Sequence, residues 1–151
     1  MRRALLMVGC FVLAGAPLMA DTGDDIIAIV KAQWAAGKQK NVAEESKNIA
    51  DDYTEFNLAA ATRIEGKALA SRLAEAGYKD AAVELASEML SPKVQVYGDT
   101  AILSYNYYGL LQGKDGKVEP SRAKSTRVYV KQGGKWMLVH ANFAADPLPK
   151  Q

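Results

Sequence analysis

The sequence predicts an α+β fold: three N-terminal helices packed on one face of a curved antiparallel sheet, in one domain spanning residues 21–146. Two observations predict it. Helical periodicity is confined to the first half of the chain, and from Ala82 onward the residues form β-rich runs separated by turn signals. Helices that precede the strands, rather than alternating with them, exclude a βαβ arrangement.

Thr22 to Asp25 reads as a T-x-x-D cap, followed by Ile26, Ile27, Val30 and Trp34 at helical spacing until Gly37 ends the first helix. After Lys38-Gln39-Lys40, Asn41 and Glu44 repeat the capping logic and open a short second helix through Val42 and Ile49, ending near Asp51-Asp52. Tyr53 to Asn57 alternates as a short strand. Gly66 to Ala76 returns to helical spacing through Leu69 and Leu73, with Gly77 past its end. Strands are then expected over Val83–Met89, Val94–Tyr97, Thr100–Leu111, Ser121–Lys131 and Lys135–Ala144. Their connectors are Pro92, Gly98-Asp99, Gly113 to Gly116 and Gly133-Gly134.

The first 20 residues have the layout of a secretory signal peptide: Arg2-Arg3, an apolar run from Ala4 to Ala16, then Leu18-Met19-Ala20 before an acidic segment. Cleavage is expected after Ala20, because a cut after Ala16 would place Pro17 next to the scissile bond. An uncleaved anchor is the competing reading, but the apolar run is at the short limit for a spanning helix and carries Pro17 near its end. Leu6 to Cys10 loosely resembles a lipoprotein box, yet the apolar segment continues beyond the cysteine. Cys10 is the only cysteine, so the processed chain has no thiol and no disulfide, and packing alone must stabilise it. Without Arg2 and Arg3 the acidic and basic side chains are equal in number, which argues against nucleic acid as a partner. After cleavage no membrane association is expected. Residues 147–151, with Pro147-Leu148-Pro149, read as a mobile tail.

Val94 to Tyr105, Asp115-Gly116-Lys117, Ser125 to Tyr129 and Gly134 to His140 together resemble the NTF2-like (SnoaL-like) superfamily. More narrowly they are similar to the DUF4440 group and to the association domain of calcium/calmodulin-dependent protein kinase II. The resemblance implies a cone with a pocket between helices and sheet, and a homodimer through the outer face of the sheet. It implies no single activity, because the superfamily includes isomerases, dehydratases, cyclases, binding modules and assembly domains. The Thr-Arg-Val-aromatic motif of the association domain supplies a pocket arginine, which corresponds to Arg127 here. Two departures matter: a second pocket arginine of that family falls at Tyr107, and its His-x-His is His140-Ala141-Asn142. They weigh against a strongly anionic ligand and against a histidine-based acid/base pair.

Read from the strand pattern alone, Arg127 is equally consistent with a solvated position on the sheet and with a pocket. The resemblance favours the pocket, where the guanidinium would hold a carboxylate, either a ligand's or that of Glu55. His140 is the only histidine and the one side chain of a type that titrates near neutral pH, though a lone strand histidine is more often a hydrogen-bonded structural residue. Glu55 is the best candidate acid, against the reading of an exposed edge glutamate. Tyr53, Tyr105, Tyr107 and Asn142 are expected to line the pocket. Tyr108, Val128 and Trp136 are expected on the dimer face.

One histidine and no cysteine after processing make a zinc site improbable, and no motif calls for a cofactor. No nucleophile elbow, phosphate-binding glycine loop or dinucleotide fingerprint is present. Two functions of different class remain. One is an exported binding or assembly domain that holds a small organic molecule, such as a carboxylate, around Arg127. The other is a cofactor-independent isomerase, dehydratase or hydrolase using the same pocket, which would require Arg127, His140 and Glu55 to converge.

Overall fold

Ile26, Val30 and Gln33 fall on one helical face, and in the computed structural model, which describes residues 19–146, all three are buried beneath α1 (Met19–Lys38). The helix starts before the expected cap at Thr22, since Met19 and Ala20 are themselves good helix formers. The expected targeting segment up to Leu18 and the tail from Pro147 lie outside the described residues.

Asn41 caps α2 (Val42–Glu45), its side chain accepting from the Glu44 amide at 3.2 Å. This helix is one turn long and does not reach Asp51. Residues 49–52 belong instead to β1 (Ile49–Phe56), which continues through the expected strand at Tyr53. Tertiary pairing overrides the helical spacing there: Ile49 lies opposite Leu138, the Leu138 amide donates to Asn48 O at 2.7 Å, and Ala50 and Tyr53 become buried. A two-residue strand, β2 (Ile64–Glu65), precedes α3 (Lys67–Gly77) and was not signalled by any periodicity.

The remaining strands are β3 (Val83–Tyr97), β4 (Thr100–Gln112), β5 (Val118–Gln132) and β6 (Lys135–Ala145). Pro92 does not divide β3, contrary to expectation. It sits at a register shift between Leu90 and Lys93 beside Ser91, whose φ is 50°, and on an edge strand its missing N–H leaves no ladder bond broken. The sheet order is β2-β1-β6-β5-β4-β3. Because β1 runs parallel to β6, the sheet is mixed rather than wholly antiparallel.

The core lies between α1 and the concave face, where Ile26, Val30, Tyr53, Leu103, Tyr129 and Leu138 are essentially inaccessible. A bulge organises β6. Val128 pairs with His140 while Tyr129 pairs with Leu138, so Val139 is the extra residue and the inside–outside alternation changes phase there. Trp136 and Leu138 before the bulge are buried, as is Ala141 after it, whereas Asn142 is exposed. Trp136 is therefore part of the core and not of the convex face expected to form a dimer.

Leu103→Ala is expected to destabilise the fold by about 2–5 kcal/mol, because a fully buried leucine leaves a cavity that its neighbours only partly fill. Chemical denaturation with an unchanged m-value would show it.

Candidate ligand pocket

Alternation along β5 sends Ser125, Arg127 and Tyr129 to the concave face, and all three are buried. Arg127 lines a cavity of about 610 Å³ enclosed by the helices, β1 and the β5–β6 wall. Trp34, Ile49, Ile64, Leu73, Leu138 and Phe143 supply much of its apolar surface, and Gln33, Glu45, Tyr53, Glu55 and Asn57 the larger of its polar groups.

Arg127 is 7% exposed. Its Nε donates to the Tyr105 hydroxyl at 3.1 Å, its Nη1 donates to Gln33 Oε1 at 2.7 Å, and the Phe143 ring centroid lies 5.2 Å from Cζ. Burial by itself favours the neutral form, but the phenol groups of Tyr105, Tyr129 and Tyr53 outweigh it and hold the pKa above the ordinary arginine value. Among the described residues no carboxylate pairs with Arg127, whose side-chain acceptors are Tyr105 and Gln33. Burying an unpaired cation is costly unless something else meets it. Two further buried groups on the same strand face, Ser125 Oγ and the Tyr129 hydroxyl, also lack partners.

Glu55, one of the two alternative partners expected for Arg127, lines the same cavity without pairing with it. Its neighbours two residues away on the same strand face take its oxygens: the Tyr53 hydroxyl donates at 2.6 Å, and Asn57 Nδ2 donates to the other oxygen. Burial, and then the Glu55 charge, push the Tyr53 phenol well above its ordinary pKa, so it remains a donor. Tyr53 lines the cavity as expected. Tyr105 lies behind Arg127 and braces it rather than lining the space. Tyr107 is further away, its hydroxyl donating to Glu84 Oε2 at 3.0 Å and its ring meeting Trp34 edge-on at 5.4 Å.

His140 and Asn142 do not reach the pocket. Val139 shifts the phase of β6, so both follow the opposite face from Ala141 and Phe143. There His140 Nδ1 lies 2.8 Å from Thr54 Oγ1 and the ring meets Phe56 edge-on at 6.0 Å. Arg127 and Glu55 thus share a cavity that His140 cannot enter, and no Glu55–His140 acid/base pair forms.

Gln33, Asn57 and Phe143 are site residues that the sequence reading missed. Gln33 was detectable as a polar residue within the apolar stripe of Ile26 and Val30, and Asn57 as the polar neighbour of Glu55 on one strand face. Phe143 was hidden by the bulge. Gln33 also links the cavity to α3: its Nε2 donates to Glu45 O at 3.2 Å, and the Tyr78 hydroxyl donates to Glu45 Oε2. Lys40 Nζ donates to Tyr78 O at 3.1 Å and secures the same end of α3.

The pattern of the calcium/calmodulin dependent protein kinase II association domain family matches residues 22–147. The fold is similar to the association domain of that kinase from C. elegans, at 20% identity over 83% of this chain and 97% of the other, with a TM-score of 0.70. An NTF2-like protein of unknown function from Pseudomonas putida KT2440 is 18% identical over 86% of this chain and 90% of its own, with a TM-score of 0.73. A candidate ketosteroid isomerase from Parabacteroides distasonis is 20% identical over 82% and 88%, respectively, with a TM-score of 0.67. At these identities the structural likenesses establish the α+β cone and nothing finer. Among curated proteins none matches by sequence.

Gln33→Leu should destabilise the protein by about 1–3 kcal/mol, since it strips an acceptor from a buried cation; thermal unfolding measures it. Burial alone would raise the Glu84 pKa, but hydrogen bonds from Ser87, Lys38 and Tyr107 outweigh it and hold the carboxyl below its usual 4.5. A depressed folded-state pKa contributes stability above the unfolded value and loses it as pH falls through the folded one. Melting temperature should therefore fall below about pH 4.5 less steeply in Glu84→Gln than in the parent protein.

Proposed function

The chain belongs to the calcium/calmodulin dependent protein kinase II association domain family, and from that premise we propose that it is an exported, non-catalytic module that binds a small carboxylate around Arg127 and self-associates through its sheet. One observation carries the binding half. A buried arginine lines a cavity of about 610 Å³ with two neutral hydrogen-bond partners and, among the described residues, no carboxylate paired with it. A carboxylate is the natural complement, since it accepts from the remaining edge of the guanidinium and neutralises the charge.

The arrangement supports binding over catalysis. Both oxygens of Glu55 are already engaged, and His140 lies on the other face of the sheet. The isomerase, dehydratase or hydrolase reading would need an acid/base pair in the cavity; Glu45, Tyr53 and Glu55 all line it, and the Tyr53 hydroxyl is already committed as a donor to Glu55.

Self-association is supported by the family, whose name is that of an association domain, and by the convex face itself. Ile102, Val128, Val130 and Met137 lie there in adjoining rows of β4, β5 and β6, each partly accessible. A two-fold pairing of this face is the economical closed arrangement. Tyr108, on the same face of β4, and Val128 fit such an interface.

Arg127→Ala should weaken butanoate binding by about 2–5 kcal/mol in calorimetry, the scale for truncating one partner of a buried charge pair. Arg127→Lys should fail to restore it, because a point charge cannot reproduce the fork. Butanoate binding that survives Arg127→Ala, with only the melting temperature lowered, would make Arg127 purely structural. Light scattering should give a dimer or larger mass at micromolar concentration, reduced to a monomer by Val128→Asp; a monomeric parent protein would refute the assembly claim. For export, the exported protein should begin at Asp21. Recovery of full-length chain or lipid-modified Cys10 from membranes would contradict this.

A further inference from the structure

The convex face carries a titratable side chain that neither the cavity nor the core uses. His140 lies on β6, and β6 and β5 are the two central strands of the six. Pairing across the sheet sets one row on this face, running from Glu65 through Thr54, His140, Val128 and Ile102 to Gln95. Around His140 the face is largely apolar. Phe56 is 48% exposed with its ring edge-on to the imidazole, and Ile102, Val128, Val130 and Met137 continue the surface on the other side. Further along β4 and β5 the face turns polar: Arg122 and Lys124 gather around Asp146, which also accepts from Asn106. Apolar contact with a second copy would therefore centre near His140 and Val128 rather than near Lys124.

Under a two-fold axis a residue near the axis meets its own copy. Two imidazoles, one from each protomer, would then share one desolvated interface. Neutral, they fit: Nδ1 lies 2.8 Å from Thr54 Oγ1, and the ring packs on Phe56. Protonated, each brings a charge out of water, needs an acceptor for both ring N–H groups, and repels the other. The surroundings offer little to offset that charge. Val128 faces His140 from β5, flanked by Thr126 and Val130; Thr54 and Phe56 face it from β1; and Asn142 follows it on β6. The carboxylate in the same row, Glu65, lies beyond Thr54 and is held by Arg63 at 2.6 Å. Asp51 and Asp52 are exposed to solvent where the pairing of β1 with β6 is interrupted.

We propose that His140 makes self-association depend on pH: copies pair through the convex face while the imidazole is neutral and separate when it takes up a proton. This rests on the self-association reading above and adds its control. Linkage gives the sign. Imidazoles take up a proton as pH falls through about 6.5, and a free protomer, whose His140 is partly open to water, accepts it more readily than the pair. Association is then at full strength above that pH and weakens below it. At about one pH unit lower, each of the two rings costs about tenfold, and the pair about a hundredfold. His140 is the only histidine in the chain, so no second imidazole contributes to the readout.

Analytical sedimentation of the protein at fixed ionic strength, at about pH 7.5 and about pH 5.5, tests this, with circular dichroism to follow folding. The dissociation constant of the parent protein should rise about a hundredfold at the lower pH. In His140→Gln, which keeps a hydrogen-bonding group but takes up no proton, the ratio between the two pH values should fall to about one, whatever its affinity. His140→Lys, charged at both pH values, should be monomeric at both. A parent protein that associates equally at both would overturn the control by pH and leave self-association standing. So would a His140→Gln protein that still dissociates at the lower pH, or dissociation that accompanies unfolding. A parent protein monomeric at both would bring down this inference and the assembly reading together, without touching the cavity.

Discussion

A guanidinium buried without a counter-ion is the constraint on which the rest of this site depends. Arg127 cannot lose its charge in a protein, so the surrounding elements must supply dipoles. Gln33 from α1 and Tyr105 from β4 do so, at 2.7 and 3.1 Å. Each in turn is held: Gln33 by its bond to Glu45 O, and Tyr105 by its burial between β4 and the core. The same chain of bonds reaches Tyr78 at the end of α3, so the charge at the cavity floor and the helix that roofs it share one hydrogen-bonded connection.

The second constraint is the Val139 bulge. One extra residue in β6 lets Leu138 and Trp136 fill the core while Phe143 lines the cavity and contacts Arg127. The same residue turns His140 and Asn142 to the opposite face, towards Thr54 and Phe56 in the case of His140. A local insertion thereby separates the only histidine from the cavity carboxylate by the thickness of the sheet. That separation leaves the cavity without a histidine–carboxylate pair.

Family membership and the cavity bear on different questions. Membership of the association domain family accounts for the cone. The shared fold assigns no ligand, because activities in such cones are built from side chains on a common frame. In this chain those side chains include one cation, the carboxylates of Glu45 and Glu55, and an apolar wall. The phenols of Tyr53, Tyr105 and Tyr129 stand around the cation.

The sequence by itself determined the class of fold, the order of most elements and the glycine-bearing turns, which follow from local chemistry: period, capping residues and glycine at turns. The inward direction of Arg127 was favoured only by the family resemblance, since strand alternation alone fitted either face. Only the tertiary structure decided the partners. That Ile49 to Asp52 form a strand depends on parallel pairing with β6, a contact from Ile49 to Leu138 that no local window contains. That Glu55 turns to Tyr53 and Asn57 rather than to Arg127 depends on which donors lie nearest once the strands are in register. The positions of His140, Asn142 and Trp136 depend on a bulge, and a strand's alternation cannot announce its own interruption, because the extra residue is defined by the strand it fails to pair with.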